Sequence, residues 1–137
     1  MACADVTSAN VVGYSSVEIK SKWTCIGVNF QDIEGGSLKL NEAIPYQEGM
    51  TASNDFAFAD QIQIGDESGN WTPYYMSNGY NMKNPPRPVT GLAGKWAKGG
   101  EFTDANAEIP VGRAAWYKRA DASKPAVKMH LEKPYDL

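Results

Sequence analysis

The side chains that most often carry out chemistry are few in this sequence. It has one histidine, His130, which alternates with Lys128 and Glu132 near the end of the chain. A zinc site at His130 would need further ligands from distant parts of the chain, and a serine or cysteine nucleophile would need His130 as its base. No Gly-x-Ser-x-Gly segment accompanies it. We therefore interpret His130 as an outward-facing strand residue and expect neither a zinc site nor nucleophilic catalysis.

Carboxylates are more numerous, with 16 Asp and Glu residues, but they form no recognisable catalytic or metal-binding pattern. Residues 66–70 (Asp-Glu-Ser-Gly-Asn) carry the oxygen ligands that calcium prefers, yet the segment is shorter than an EF-hand loop. The same residue types favour turns, so we predict a polar hairpin turn there. The glycines between positions 91 and 100 match no phosphate-binding loop. We expect no catalytic residue, no metal ion, no cofactor and no enzymatic activity.

Aromatic residues are the one group that suggests binding. Five of them lie on or beside a long irregular segment: Trp71, Tyr74, Tyr75, Tyr80 and Trp96. A flat row of exposed rings stacks on sugar faces or anchors a protein interface. A β-domain also uses aromatic residues at alternate positions as ordinary core and strand residues. The sequence leaves both interpretations open.

Strands must position these rings, because apolar residues alternate with polar ones in many short segments. Turn residues separate the segments about every ten positions, which is typical of all-β domains. The predicted strands are residues 11–19, 23–30, 56–64, 71–76, 95–98, 109–118 and 126–132, with residues 37–44 either a strand or a single helical turn. We therefore predict an all-β, single-domain antiparallel β-sandwich or small barrel of seven or eight short strands, with little helix.

Several details follow from turn chemistry and periodicity. We expect one hairpin from residues 11–19 and 23–30, and another from residues 56–64 and 71–76. The strand over residues 109–118 is the best candidate in the chain, with Pro110 at its start. Trp116 and Tyr117 are adjacent in it, so they should point to opposite faces of a sheet.

Composition limits the classes of partner. The chain has 137 residues, which suits one domain, and a net charge of −3, which argues against a nucleic-acid partner. No apolar run approaches the ~18 residues of a membrane span. We divide the chain into an arm (1–10), one β-domain (11–132) with a Pro/Gly-rich loop (77–94), and a tail (133–137).

The two cysteines, Cys3 and Cys25, allow several interpretations. They form a disulfide in an oxidising compartment, or they are two unrelated thiols. Residues 2–4 (Ala-Cys-Ala) also match the end of a signal peptide. In that case Cys3 would be absent from the mature protein, and the disulfide interpretation would weaken.

Two stretches carry a resemblance. Residues 10–14 read N-V-V-G-Y, and residues 109–117 read I-P-V-G-R-A-A-W-Y. Together with Asn29-Phe30 and residues 37–42 and 59–64, they resemble an uncharacterised group of small exported bacterial β-proteins. The resemblance implies export and a β-fold, but no activity. The sequence departs from the group's pattern in its Pro-rich insert at residues 79–94.

We therefore expect a non-catalytic structural or interaction module that is secreted or at the cell surface. Its partners would be copies of itself or another surface protein, as in a subunit of a self-assembling filament or layer. The alternative is a carbohydrate-binding module whose surface aromatics contact a glycan. A small hydrolase is the least favoured hypothesis.

Overall fold

The computed structural model describes residues 12–27, 38–110 and 112–134. In these ranges the chain forms nine strands: β1 (Val12–Ile19), β2 (Trp23–Gly27), β3 (Leu38–Lys39), β4 (Gln61–Gly65), β5 (Trp71–Met76), β6 (Trp96–Lys98), β7 (Glu108–Ile109), β8 (Ala114–Lys118) and β9 (Val127–Pro134). Helical structure within these ranges is limited to α1 (Leu40–Ala43) and a 3-10 turn (Phe56–Phe58).

The strands form two layers. One layer is a five-stranded antiparallel sheet in the order β2-β8-β4-β5-β6, and the other contains the antiparallel β1–β9 ribbon. Ile19 and Met129 of the ribbon belong to the same core as Ile26, Ile62 and Tyr117 of the sheet. α1 and the short β3–β7 pair complete this core. The predicted all-β sandwich with little helix is confirmed, and the described strands do not close into a barrel.

The predicted hairpin of residues 11–19 and 23–30 is wrong. β1 pairs with β9, and β2 pairs with β8, so residues 20–22 carry the chain from one layer to the other. Arg119 holds this crossing: its backbone N–H donates to Lys22 O at 2.8 Å, and its guanidinium donates to Lys20 O at 3.1 Å. Nothing in the alternating pattern of either strand reveals a partner so distant in sequence.

Two predicted strands are shorter than expected. Residues 56–58 form a 3-10 turn because Asp55 caps it, accepting from Ala57 N at 2.9 Å, and Phe58 is exposed. Residues 109–118 break into β7 and β8, because the chain turns at Gly112, whose φ is +79°. Pro110 follows the end of β7 instead of opening a strand.

Other expectations are confirmed or refined. The hairpin joined by residues 65–70 is present as β4–β5, and residues 37–44 contain both alternatives, since β3 runs directly into α1. The last strand continues to Pro134, beyond its predicted end at residue 132. The arm (1–10), residues 28–30 of the second predicted strand and residues 135–137 of the tail lie outside the described residues.

The long loop over residues 77–94 covers part of the sheet's second face. Tyr75 and Ala97 point to this face and pack with Leu92 of the loop, partly covered by Val89 and Phe102. The five-stranded sheet is therefore covered on its inner face by the core, and on its outer face near the β5–β6 edge by the loop.

Candidate functional site

The outer face of the five-stranded sheet carries an exposed aromatic surface away from the loop. Strand register assigns alternate residues of β2, β8, β4 and β5 to this face, opposite to core residues such as Ile26 and Tyr117. We name this surface the tryptophan face and define it by Trp23, Cys25, Gly27, Gln63, Gly65, Trp71, Ala114, Trp116 and Lys118. The chain has four tryptophans, and the fourth, Trp96, is fully buried.

The three exposed tryptophans lie along a diagonal of the sheet. Trp23 is opposite Lys118, and Trp116 lies two residues before Lys118 on β8. Gln63 is opposite Trp116, and Gly65, two residues further along β4, lies beneath the ring of Trp71. Neighbouring strands are about 4.8 Å apart and two residues advance about 6.8 Å, so Trp116 lies about 8 Å from both Trp23 and Gly65. The rings thus form a row across four strands.

Local contacts hold two of the rings. A Cβ atom at Gly65 would lie 3.2 Å from atoms of the Trp71 ring, so the absence of a side chain lets this ring lie against the sheet. The Lys118 ammonium lies 5.5 Å from the centroid of the Trp23 ring, within the range of a cation–π interaction. Trp23, Trp71 and Trp116 nevertheless remain 46%, 44% and 41% exposed. Such exposure of large apolar rings on one face is typical of a binding surface.

The five predicted aromatics do not form one surface. Trp96 and Tyr75 are buried, with Trp96 Nε1 donating to Ile44 O at 2.8 Å and the Tyr75 hydroxyl to Glu101 O at 2.9 Å. Tyr74 packs against the main core. For Trp96 and Tyr75 the predicted binding role is therefore wrong, because strand alternation points Trp96 into the core and the loop covers Tyr75. Trp71 and Tyr80 are both exposed. They lie on different surfaces, because Trp71 is the first residue of β5 and Tyr80 lies in the loop that follows the last residue of β5.

Trp23 and Trp116 are exposed on this face but were not among the predicted binding aromatics. A signal for Trp23 exists in the sequence: Ile26 faces the core, so alternation directs Trp23 and Cys25 to the other face. The opposition of Trp116 and Tyr117 is confirmed, since Tyr117 is fully buried. Tyr117, and not Trp116, faces the core because it contacts Trp96 and Asp60, which are distant in sequence.

A second feature is a cleft beside the long loop. Its larger part, about 510 Å³, includes Tyr46, Ser77, Asn78 and Lys124 in its wall. A neighbouring part of about 380 Å³ is lined by Asn54, Asn78, Tyr80 and Pro86, so Asn78 belongs to both. We name these two parts together the tyrosine cleft, because Tyr46 and Tyr80 line it and are 54% and 44% exposed.

A buried polar network lies between the sheet and the loops. Asp60 is fully buried and accepts from the Tyr117 hydroxyl at 2.7 Å and from Ala120 N at 2.8 Å. Burial raises the pKa of Asp60, and burial together with the nearby carboxylate raises the pKa of Tyr117 well above its ordinary range. Arg119 is also buried, and its guanidinium donates to backbone carbonyls of the surrounding loops. These groups are buried, and their hydrogen bonds join the sheet to the surrounding loops.

The other candidate sites are structural or lie outside the described region. Asp66 accepts from Ser68 N and Asn70 N at 2.8 and 2.9 Å, so the predicted polar hairpin turn is confirmed. His130 lies in β9 opposite Ser16, but its side chain is outside the described part. Cys25 is exposed, whereas Cys3 lies outside the described residues, so their pairing stays a prediction.

Within the described ranges, no three His, Cys, Asp or Glu side chains are grouped so that they could hold a metal ion. Nor does any helix there have the length and apolar character needed to cross a membrane. Comparisons of the chain with protein-family models, curated proteins and solved structures gave no match.

Proposed function

We propose that this protein is a non-catalytic interaction module that associates with copies of itself through the tryptophan face. The observation that carries the proposal is the placement of all three exposed tryptophans on one face of the sheet. Tryptophan is enriched among the residues that dominate binding at protein interfaces.

The shape of the surface favours a protein partner. Small-ligand sites are concave, whereas the tryptophan face is the open side of a sheet. Two sheets that pack face to face lie about 10 Å apart and interdigitate their side chains. Gly27 and Ala114 are exposed small residues beside the projecting rings. A second copy could therefore place its rings over these small residues, and the same patch would supply both projections and depressions.

The size of the patch is compatible with reversible association. A tryptophan has roughly 250 Å² of surface, so three rings that are just under half exposed offer about 300 Å² of aromatic area on each copy. Burial of both patches would remove about 600 Å² of aromatic surface from water, less than the roughly 1,200–2,000 Å² of a stable interface. We expect a concentration-dependent equilibrium rather than a permanent dimer.

Strand edges offer a route to larger assemblies. Within the described ranges, β2 pairs on one side only, with β8, so its other edge presents unpaired backbone groups. Exposed edges add strands from other chains. The resemblance to exported bacterial β-proteins supports a place outside the cell, and we include secretion or surface location, and assembly into a filament or layer, in the proposal.

Sedimentation velocity over a wide concentration range tests self-association. We expect the wild-type protein to shift to larger species with concentration, and Trp116→Ala to remain monomeric at concentrations where the wild type associates. Phe58→Ala is the matched control, because Phe58 is a 69% exposed aromatic residue outside the tryptophan face. A wild-type protein that stays monomeric throughout, or equal association by Trp116→Ala, would contradict the proposal.

A further inference from the structure

We propose that the tyrosine cleft is a binding site for a neutral oligosaccharide, separate from the tryptophan face. This inference does not depend on self-association, since the two surfaces share no residue. The cleft is a shallow, open depression, and its two parts meet at Asn78, which favours an extended ligand over a single small ring.

The two tyrosines flank a strip of small residues. Tyr46 packs over Gly94, where an added Cβ would lie 3.5 Å from Tyr46 Cβ. Ala93, next to Gly94, contacts Gly79 so closely that an added Cβ there would lie 2.8 Å from Ala93 Cβ. Tyr80 follows Gly79 in sequence. One exposed ring therefore stands on each side of a strip without bulky side chains, as an extended chain of sugar rings would require.

Polar groups are placed to select hydroxyl groups. Asn78 Oδ1 accepts from Tyr80 N at 3.1 Å, and Asn54 Nδ2 donates to Asn81 O at 2.8 Å. These bonds orient both amides and occupy only one end of each. Among the described residues, the Asn78 amino group and the Asn54 carbonyl oxygen have no hydrogen-bond partner, so one donor and one acceptor remain for a ligand.

The charge of the cleft favours a neutral ligand. Among the described residues its lining contains no carboxylate, and the lining cation, Lys124, donates its ammonium to Met50 O at 3.2 Å. The whole chain has a net charge of −3, which repels polyanions. Exposed aromatic rings combined with side-chain amides, beside a lysine whose ammonium is already hydrogen-bonded, suit the apolar faces and hydroxyl edges of neutral sugars.

The backbone holds this arrangement in place. Gly94 N donates to Ser77 O at 2.9 Å, and Val89 N donates to Gly79 O at 2.7 Å. The Ser77 hydroxyl oxygen accepts from Gly79 N at 3.0 Å. The segment that carries Asn78 and Tyr80 is thus bonded to the returning part of the loop, and little ordering would be needed when a ligand binds.

Isothermal titration calorimetry with soluble hexasaccharides of β-1,4-glucan, β-1,3-glucan, β-1,4-xylan and β-1,4-mannan tests the inference, with hexagalacturonate as an anionic comparison. We expect at least one neutral hexasaccharide to bind with a Kd below 1 mM and the anionic one to bind at least tenfold more weakly. Preferential binding of hexagalacturonate, or no binding of any neutral hexasaccharide at millimolar concentration, would overturn the inference.

Variants locate the site. Tyr80→Ala should weaken binding at least tenfold, whereas Tyr80→Phe, which keeps the ring, should stay within threefold of the wild type. Asn78→Asp keeps the oxygen that caps Tyr80 N but loses the amino donor, and should weaken binding at least fivefold. Trp116→Ala should leave sugar binding unchanged, even where it abolishes self-association. Binding that survives Tyr80→Ala but is lost in Trp116→Ala would overturn the assignment to the cleft.

Urea denaturation of each variant checks that it folds. Perturbation of the Asn78 side-chain NMR signal by the hexasaccharide provides a readout that needs no variant.

Discussion

Replacement of Tyr117 by phenylalanine should weaken the fold in a way that depends on pH. The Tyr117 hydroxyl donates to the buried Asp60 carboxylate at 2.7 Å, and the variant keeps the ring that packs edge-on against Trp96. A hydrogen bond to a charged group contributes about 1.5–3 kcal/mol and one between neutral groups about 0.5–1.5 kcal/mol. We expect Tyr117→Phe to lower the free energy of unfolding by about 2 kcal/mol at pH 7 and by about 1 kcal/mol at pH 3.

The sign of this difference follows from the titration of Asp60. Burial raises its folded-state pKa above the ordinary 3.8, so the native state binds more protons, and wild-type stability falls as pH rises from about 3.8 through the folded pKa. The Tyr117 hydrogen bond lowers this pKa, and its loss raises the pKa further. The variant should therefore lose more stability above the folded-state pKa of Asp60 than below it.

Alkaline pH gives a second signature. The pKa of Tyr117 is raised well above 10 in the native state, so above pH 10 only the unfolded state releases this proton. The wild type should therefore lose up to about 1.4 kcal/mol of stability per pH unit from this group, and Tyr117→Phe should not.

Urea unfolding followed by tryptophan fluorescence from pH 3 to pH 11 measures both signatures. Tyr46→Phe is the matched control, because it removes the hydroxyl of an exposed tyrosine. Parallel stability curves for the wild type and Tyr117→Phe over the whole range would refute the role assigned to the Asp60–Tyr117 pair.

Three further predictions concern backbone contacts and use the same unfolding assay. Gly49→Ala should lower the free energy of unfolding by about 2–3 kcal/mol, because its added Cβ would clash with Pro125 O. Gly27→Ala should change this free energy by less than about 0.5 kcal/mol, because its added Cβ meets no described atom within 4 Å. Equal losses in the two variants would contradict this packing. Arg119→Lys should lower the free energy of unfolding by about 3 kcal/mol, because one ammonium cannot replace a guanidinium that donates to four backbone carbonyls. A loss below about 1 kcal/mol would show that these hydrogen bonds contribute little to stability. Asn41→Ala should lower the free energy of unfolding by about 1–2 kcal/mol, because the Asn41 side chain accepts from Trp96 N of β6 and donates to Asp104. An unchanged urea midpoint would show that these two hydrogen bonds do not stabilise the fold.

The sequence predicted the parts of the fold that depend on local pattern. Alternation and turn chemistry identified β4, β5 and the turn capped by Asp66, because strand and turn preferences act over a few residues. The pairing of β1 with β9 was missed, because it joins residues more than a hundred positions apart. The break before β8 was also missed, because the predicted strand over residues 109–118 ran through Gly112, where the chain turns.

The candidate site was predicted only in part. Trp71 and Tyr80 are exposed as expected, but the surfaces they belong to depend on long-range contacts. Tyr75 is hidden only because the loop returns over it, and Trp116 is exposed because its neighbour Tyr117 meets Trp96 in the core. A single sequence carries no local signal for either arrangement.

If copies of the protein associate through the tryptophan face, the tryptophans themselves report its burial directly. Trp23, Trp71 and Trp116 all lie on that face, and the fourth tryptophan, Trp96, is already buried. Acrylamide quenching of tryptophan fluorescence should therefore be strong in dilute protein and fall several-fold as concentration rises through the association range. Association detected by sedimentation with quenching that does not change would contradict the claim, because the copies would then meet through another surface.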